Sequence, residues 1–386
     1  MPKSPSPGKI LIICPFTSPN QGGVESHIQK LVKFLGRKGR QVIILSYQPL
    51  TTPTKAPVYE KKENYEIYRL PWLGHGLFPK IEHNPALTFV YLVPGLLLES
   101  LAIGVKRRHE IAVIHAHGFA AGFVGVILRA LTSKRLVLST HAIYNLGTRK
   151  YLAAALTAIL NRCDFILAVS QTSAKELVAS GVSGQKVKVH PNWVDTSFFS
   201  PAPGKRKKGS NLKVIFNGRG LEKKGIFLFG NLARENPELN FIARVAPDRD
   251  RQKFIQEYKG VPNLEIRTGL PDNFEEKMRI IRDEYRESDI FLMPSLYPEG
   301  FSASLLEAAS CGLVVISSNL GSLPSILAGS GAVLVKPTLR NFHRSLDELV
   351  RDKNTLLKRK RRQMRKYAQK KFSEKNARVI YGSYGL

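Results

Sequence analysis

The chain has 386 residues, 43% of them apolar, and carries 59 Lys and Arg against 30 Asp and Glu, a formal net charge of +29. That length supports two or three domains with sizeable cores, and the apolar share, with 30 Gly and 23 Pro, marks a globular rather than a low-complexity chain. The excess of cations calls for an anionic partner: nucleic acid, acidic lipid headgroups or an acidic substrate.

Cys14, Cys163 and Cys311 are odd in number and far apart, which argues against a disulfide framework or zinc spacing and fits a reducing compartment. Met1 to Gly8 is rich in Pro and Ser, with no apolar leader core. Lys9–Ile13 reads as a first strand. Gln21-Gly22-Gly23-Val24-Glu25 then opens a helix in which Ile28, Leu31, Val32 and Leu35 recur at helical spacing. Paired glycines let backbone approach a ligand and a helix start favours anions, although a tight strand-to-helix turn explains the same residues. Gln41–Leu45 closes a strand-helix-strand unit, which points to a parallel sheet.

Leu70–Pro79 is apolar but broken by Gly and Pro, and so is not a regular helix. Its large residues serve either an interface or the core. Ala86–Val105 approaches membrane-spanning length but contains Pro94, Gly95 and Glu99, which favours a buried or membrane-grazing helix. Strands follow at 111–114, 136–139 and 164–170. His115-Ala116-His117-Gly118 and Thr140-His141 stand at strand C-terminal ends, where open α/β sheets bind ligands.

Pro201–Asn211, with Lys205, Arg206, Lys207 and Lys208, is a basic linker and the expected domain boundary. Beyond the strand Leu212–Phe216, the loop Asn217–Gly225 carries Arg219 and Lys224. Arg suits bidentate phosphate contact and Lys acts as a point charge, while an exposed basic turn is the plain alternative. The strand Ile290–Met293 precedes Pro298-Glu299-Gly300-Phe301-Ser302-Ala303-Ser304-Leu305-Leu306-Glu307, and Gly312 stands where a helix stop belongs. Gly300 to Ser304 reads as a strand-to-helix turn whose free amides and helix dipole suit a phosphate. Two carboxylates there would repel a phosphate but accept hydrogen bonds from hydroxyls. A phosphate flanked by hydroxyl-rich groups describes a nucleotide sugar. Arg351–Arg378 holds 13 Lys and Arg, most simply a solvated helix face.

Glu299 and Glu307, with seven residues between them, resemble the paired glutamates of retaining glycosyltransferases of the GT-B fold, especially glycosyltransferase family 4. The resemblance runs from Lys9 to about Tyr384. It implies an α/β protein of two Rossmann-like domains with parallel sheets facing across a cleft. Residues 1–200 would form the acceptor-side domain, completed by a C-terminal helix over 366–386, and residues 201–365 the nucleotide-sugar domain. It implies that Glu307 holds the donor ribose and Glu299 the transferred sugar, that Arg219 and Lys224 grip the diphosphate with the Gly300, Phe301, Ser302, Ala303 and Ser304 segment, and that Leu270 lies beside the base. Gly22 and Gly23 would face the diphosphate and acceptor, and His141 would project near the transferred sugar. His117 resembles a His-x-His pair that is structural or acceptor-side. Val187–Phe199 is similar to the interdomain signature, except that Trp193 stands where glycine is usual; Ser325 stands where glutamate is usual.

The expected chemistry is transfer of a sugar to an acceptor hydroxyl with retained configuration, with no metal or other cofactor. The charge suggests a cytoplasmic enzyme peripheral on the inner face of the cytoplasmic membrane, acting on a lipid-linked or envelope glycan acceptor at an anionic surface, without nucleic acid. A sugar-nucleotide epimerase, a sugar phosphorylase and a basic nucleic-acid-binding protein are the alternatives.

Overall fold

A computed structural model describes residues 8–386 except 21, 74, 75, 83, 142–149 and 204–210. Two units emerge, Met1–His190 with Ala377–Leu386, and Pro191–Asn376.

The first unit is built on strands β1 (Lys9–Ile13), β2 (Val42–Tyr47), β3 (Tyr59–Lys61), β4 (Tyr65–Leu70), β5 (Ile111–His117), β6 (Arg135–Ser139), β7 (Phe165–Ala168) and β8 (Val187–Val189). They lie in the order β3-β4-β2-β1-β5-β6-β7-β8. Pairing is parallel except at β3–β4. The central strands are continuous apolar runs because helices cover both faces of a parallel sheet; Ile10 to Ile13 are fully buried.

The second unit holds β9 (Lys213–Arg219), β10 (Asn240–Ala246), β11 (Leu264–Arg267), β12 (Ile290–Met293), β13 (Val314–Ser318) and β14 (Val333–Val335). Their order is β11-β10-β9-β12-β13-β14, all parallel. Separate apolar clusters form around Phe291 and Val315 and around Phe241 and Val314, as alternation along each strand requires.

The units divide at His190/Pro191, ahead of the basic stretch, of which residues 204–210 lie outside the described residues. The reason is packing. Val194 and Phe199 are buried in the second unit's core, and the Val194 amide donates to the Phe372 carbonyl at 2.8 Å. The return to the first unit likewise comes at Ala377 rather than 366, because Ala368 and Phe372 belong to the second core. The last helix, Ala377–Tyr384, is tied to β5 through Tyr384, whose hydroxyl lies 2.7 Å from His115 Nδ1. Part of the basic run is put to structural use. Arg365 donates to the carbonyls of Thr196, Phe199 and Ser310, and Arg361 to the Gly312 carbonyl and to Asp289. Lys358, Arg359, Arg362 and Lys366 remain exposed.

The apolar stretch at 70–79 splits between its two readings. Trp72 packs at a tilt against Tyr47 and Phe78 against Phe16, while Leu73 and Leu77 point to solvent. The helix Pro85–Glu99 continues as a π-helical turn over Ser100–Val105. Leu92, Val93, Leu96 and Glu99 form its buried face. Tyr47 enters the helix's own ladder, its hydroxyl donating to the Leu92 carbonyl at 2.5 Å and accepting from the Leu96 amide at 2.8 Å. The approach needs a glycine at 95, where a Cβ would lie 2.6 Å from the Tyr47 ring.

Burial pushes the Glu99 carboxyl up to about 8. The folded chain therefore keeps a proton that the unfolded chain releases near pH ~4.3. Stability should fall as pH rises from there to about 8. Glu99→Gln should unfold at higher urea than the parent at pH 8 and at similar urea near pH 5. Parallel pH dependences in the two proteins would contradict the assignment.

Cys14, Cys163 and Cys311 are buried and free. Ser133 is the one non-glycine residue with positive φ among the described residues. Trp193 thus stands without that strain, buried at 4% exposure, and replaces the usual glycine by filling space. Ser325 donates to the Ser322 carbonyl at 2.8 Å.

Candidate functional site

In the second unit, β9 and β12 are adjacent and parallel, so the loops leaving their C-terminal ends emerge side by side. The β9 loop turns at Glu222–Lys224, and Gly225 takes φ +75° before the helix Ile226–Glu235. The Leu296 amide donates to the Lys223 carbonyl at 2.9 Å, joining this loop to the one after β12. Lys224 Nζ lies 2.7 and 2.8 Å from the two Glu299 carboxylate oxygens, and the Ser295 hydroxyl donates to the same carboxylate at 2.7 Å. Glu299 is buried, so its charge is matched at short range by a cation and a hydroxyl.

Arg219 ends β9 and is held by Asp248, which follows β10, with Nε 2.5 Å from a carboxylate oxygen. Almost half of the Arg219 side chain remains exposed. Gly300, Phe301 and Ser302 form the turn, with Ser302 as N-cap. Ala303 and Ser304 are the first residues of the helix Ala303–Ser310 rather than part of the loop, and Ser302 Oγ accepts from the Leu305 amide at 3.4 Å. Phe301 meets Phe372 edge to face.

Glu307 lies one turn into this helix and is buried. Burial, and next the Glu307 charge, push the Tyr285 phenol well above its usual range. Asn217 donates to the Tyr285 hydroxyl at 2.7 Å, which links Glu307 through Tyr285 to the C-terminal end of β9, where Arg219 stands. Leu270 follows Gly269, whose carbonyl accepts from Arg244 Nη1 at 2.9 Å. Arg244 is itself paired with buried Glu284, and this pair steadies the segment around Leu270.

In the first unit, the candidate residues gather at the C-terminal edge of the sheet. Gly22 is the N-cap of the helix Gly23–Arg37. Its φ of −173° is extended backbone open to any residue, and a Cβ on Gly23 would meet nothing within 4 Å. At Gly22, by contrast, a Cβ would stand 2.5 Å from a Glu25 carboxylate oxygen, so what glycine provides there is room for that carboxylate at the helix start. His117 ends β5 and His141 follows β6, with His117 Nδ1 2.9 Å from His141 Nε2. Burial, and next the neighbouring His115, hold His117 well below the usual imidazole range; burial pushes the half-buried His141 down to about 4. His115, not His117, is the structural member of the His-x-His pair. Its nitrogens lie 2.7 Å from the Tyr384 hydroxyl and 2.8 Å from the Ser139 hydroxyl.

Sequence reasoning missed four contributors. Asp248 in the loop after β10, Ser295 in the loop of Glu299 itself, and the Arg244–Glu284 pair, from β10 and the helix Phe274–Arg286, act on the expected residues, and no local motif marks them. His27, in the first helix, lies 5.1 Å from His141 and 5.6 Å from His117 between ring centroids. Its position one turn past the paired glycines was the available signal.

Two family models match the chain. Glycosyltransferase Family 4 covers residues 21–198 and Glycosyl transferases group 1 covers residues 202–371. A human phosphatidylinositol N-acetylglucosaminyltransferase subunit is 27% identical over 350 residues, 88% of this chain and 68% of its own. The Streptococcus pneumoniae alpha-galactosylglucosyldiacylglycerol synthase is 29% identical over 186 residues, 44% of this chain and 48% of its own. Among solved structures, sucrose-phosphate synthase from Thermosynechococcus elongatus superposes with a TM-score of 0.79 at 17% identity, covering 97% of this chain and 98% of that one. Anabaena HepE in complex with UDP and glucose gives 0.74 at 17%, covering 98% and 99%. Both halves of the chain are matched in order and the fold is that of GT-B enzymes, so the chain belongs to the family 4 glycosyltransferases, nucleotide-sugar-dependent enzymes of the GT-B class.

Proposed function

We propose that the chain transfers a sugar, with retention of configuration, from a nucleotide sugar to a hydroxyl of a lipid-linked acceptor at an anionic membrane surface. The observation that carries this reading is the Lys224–Glu299 pair beside the start of the helix Ala303–Ser310. Arg219 and Lys224, with the amides of Gly300 to Ser304, are the groups for the diphosphate. Glu299 and Glu307 are the groups for the transferred sugar and the ribose, and Leu270 is the neighbour of the base. Gly22, Gly23 and His141 are the first unit's candidate groups for the donor and acceptor. Fixed cations answer the charge that develops on the leaving diphosphate, and on this reading no metal takes part.

The lipid acceptor is favoured by the names of the relatives, which specify phosphatidylinositol in one case and a diacylglycerol glycolipid in the other. A panel of UDP-, GDP- and ADP-sugars scored by thermal shift is the first test, with UDP-N-acetylglucosamine and UDP-glucose expected to raise the melting temperature. The best donor is then followed into phosphatidylinositol and diacylglycerol glycolipids. Absence of any shift across the panel would remove the reading.

The membrane surface is favoured by the outer face of the helix Pro85–Glu99. Leu87, Val90 and Leu98 are exposed there, Val90 at 70%. The exposed cations Lys80, Lys106 and Arg108 flank it in sequence. Each cation near an anionic leaflet contributes about 1 kcal/mol, screened by salt. In flotation, recovery with anionic vesicles should exceed that with neutral ones and drop as salt is raised; equal, salt-independent recovery would refute the docking.

A further inference from the structure

Three histidines from three elements converge in the first unit. His27 comes from the start of the second turn of the helix Gly23–Arg37, His117 from the end of β5, and His141 from the segment after β6. One nitrogen from each lies within 4.8 Å of the other two. The His117 and His141 rings are stacked at 15°, with their facing nitrogens 2.9 Å apart. His27 and His117 are 4% and 2% exposed, and His117 Nε2 is buried without a hydrogen-bond partner. His115 packs against His117 at 4.1 Å between centroids, and with both its own nitrogens engaged it fixes that ring from behind.

We propose that His27, His117 and His141 form a three-histidine site for a divalent transition metal of borderline softness, typified by Zn2+, and that occupancy there arrests sugar transfer. Imidazole nitrogen is a preferred donor for zinc, and three protein ligands leave a fourth position for water or an anion. Tetrahedral zinc with bonds of about 2.0–2.1 Å sets its nitrogens roughly 3.3 Å apart. The 2.9 Å pair therefore opens slightly as the metal replaces the proton shared between His117 and His141, and the remaining nitrogen closes in from within 4.8 Å. These are side-chain adjustments, with two of the three residues anchored at the end of a strand or in a helix. The site itself stands apart from the transferase reading; the arrest of turnover rests on it, because the metal would immobilise the His141 ring beside the sugar.

The test uses the untagged full chain after treatment with a chelator. Zn2+ is titrated by calorimetry and counted by elemental analysis after dialysis, and Co2+ serves as the optical probe. One metal per chain is expected, with cobalt bands of low coordination number. His27→Ala and His141→Ala should each weaken binding by at least the roughly 10–100-fold that loss of an outer-shell partner costs. His109→Ala and His343→Ala, which alter histidines outside the cluster, should bind as the parent does. His141 is partly exposed, so its replacement spares the core; His141→Gln, checked by circular dichroism, is the companion variant. The same stoichiometry and affinity in the His27→Ala, His141→Ala double variant as in the parent would overturn the site, as would failure of the parent to retain zinc. Zinc bound at one equivalent with turnover unchanged would overturn only the arrest.

Discussion

Replacing both Arg219 and Lys224 by alanine is expected to abolish measurable turnover while the purified protein stays folded. The leaving diphosphate gains charge as the glycosidic bond breaks, and preorganised donors aimed at such charge are each worth about 10²–10³ in rate, or roughly 2.7–4 kcal/mol. The two single variants should differ in a second respect. Arg219 is half-buried and paired with Asp248. Lys224 faces the buried Glu299 carboxylate with both oxygens in reach, so Lys224→Ala strands a charge that Ser295 alone must satisfy. Lys224→Ala should therefore lower the melting temperature more than Arg219→Ala, and adding Glu299→Gln should restore stability without restoring transfer. Turnover near the parental rate in the folded double variant would end the diphosphate assignment.

The second large effect is expected from glycines that touch the same pair from opposite sides. A Cβ on Gly321 would stand 2.5 and 2.6 Å from the Glu299 amide nitrogen and carbonyl oxygen, and one on Gly225 would stand 1.9 Å from the Pro294 carbonyl oxygen. Both residues also have positive φ, +61° and +75°. In each case the obstruction is backbone, which cannot swing aside as a side chain can. Gly321→Ala and Gly225→Ala should each cost about 1–3 kcal/mol of stability from strain and overpacking. Each should also displace Glu299 or Lys224 enough to lose donor binding. Gly23→Ala, where a Cβ has open space around it, is the matched control for stability. Donor affinity by calorimetry equal to the parent in both Gly321→Ala and Gly225→Ala would show that the loops tolerate the shift.

Much of this arrangement was legible because short apolar runs separated by glycine-marked turns describe a parallel sheet nearly one strand at a time. Arg219, Lys224 and Glu299 could be placed at strand C-terminal ends, and Glu307 in the helix that follows, for that reason. What was hidden depends on contacts between distant segments. Asp248 and Ser295 sit in loops with no motif, and their value comes only from the neighbours that the strand order supplies. The division at His190/Pro191 was masked by a conspicuous basic stretch, whereas two buried side chains, Val194 and Phe199, decide which core owns the segment. The positive run near the C-terminus looked like a solvated helix face, yet Arg365 is bound by backbone carbonyls and Arg361 by a carbonyl and Asp289. Trp193 was read from a pattern that wants glycine, and burial settled its place instead.

Tyr47 has a consequence for sidedness. Because its hydroxyl is inserted between Leu92 and Leu96, and because the ring needs the bare backbone at Gly95, the long apolar helix cannot roll about its axis. One residue of rotation is about 100°, and any such turn would break both hydrogen bonds and drive a side chain into the ring. The same leucines and valines therefore always look outward, so whatever meets that helix meets a fixed greasy stripe rather than an average over its circumference.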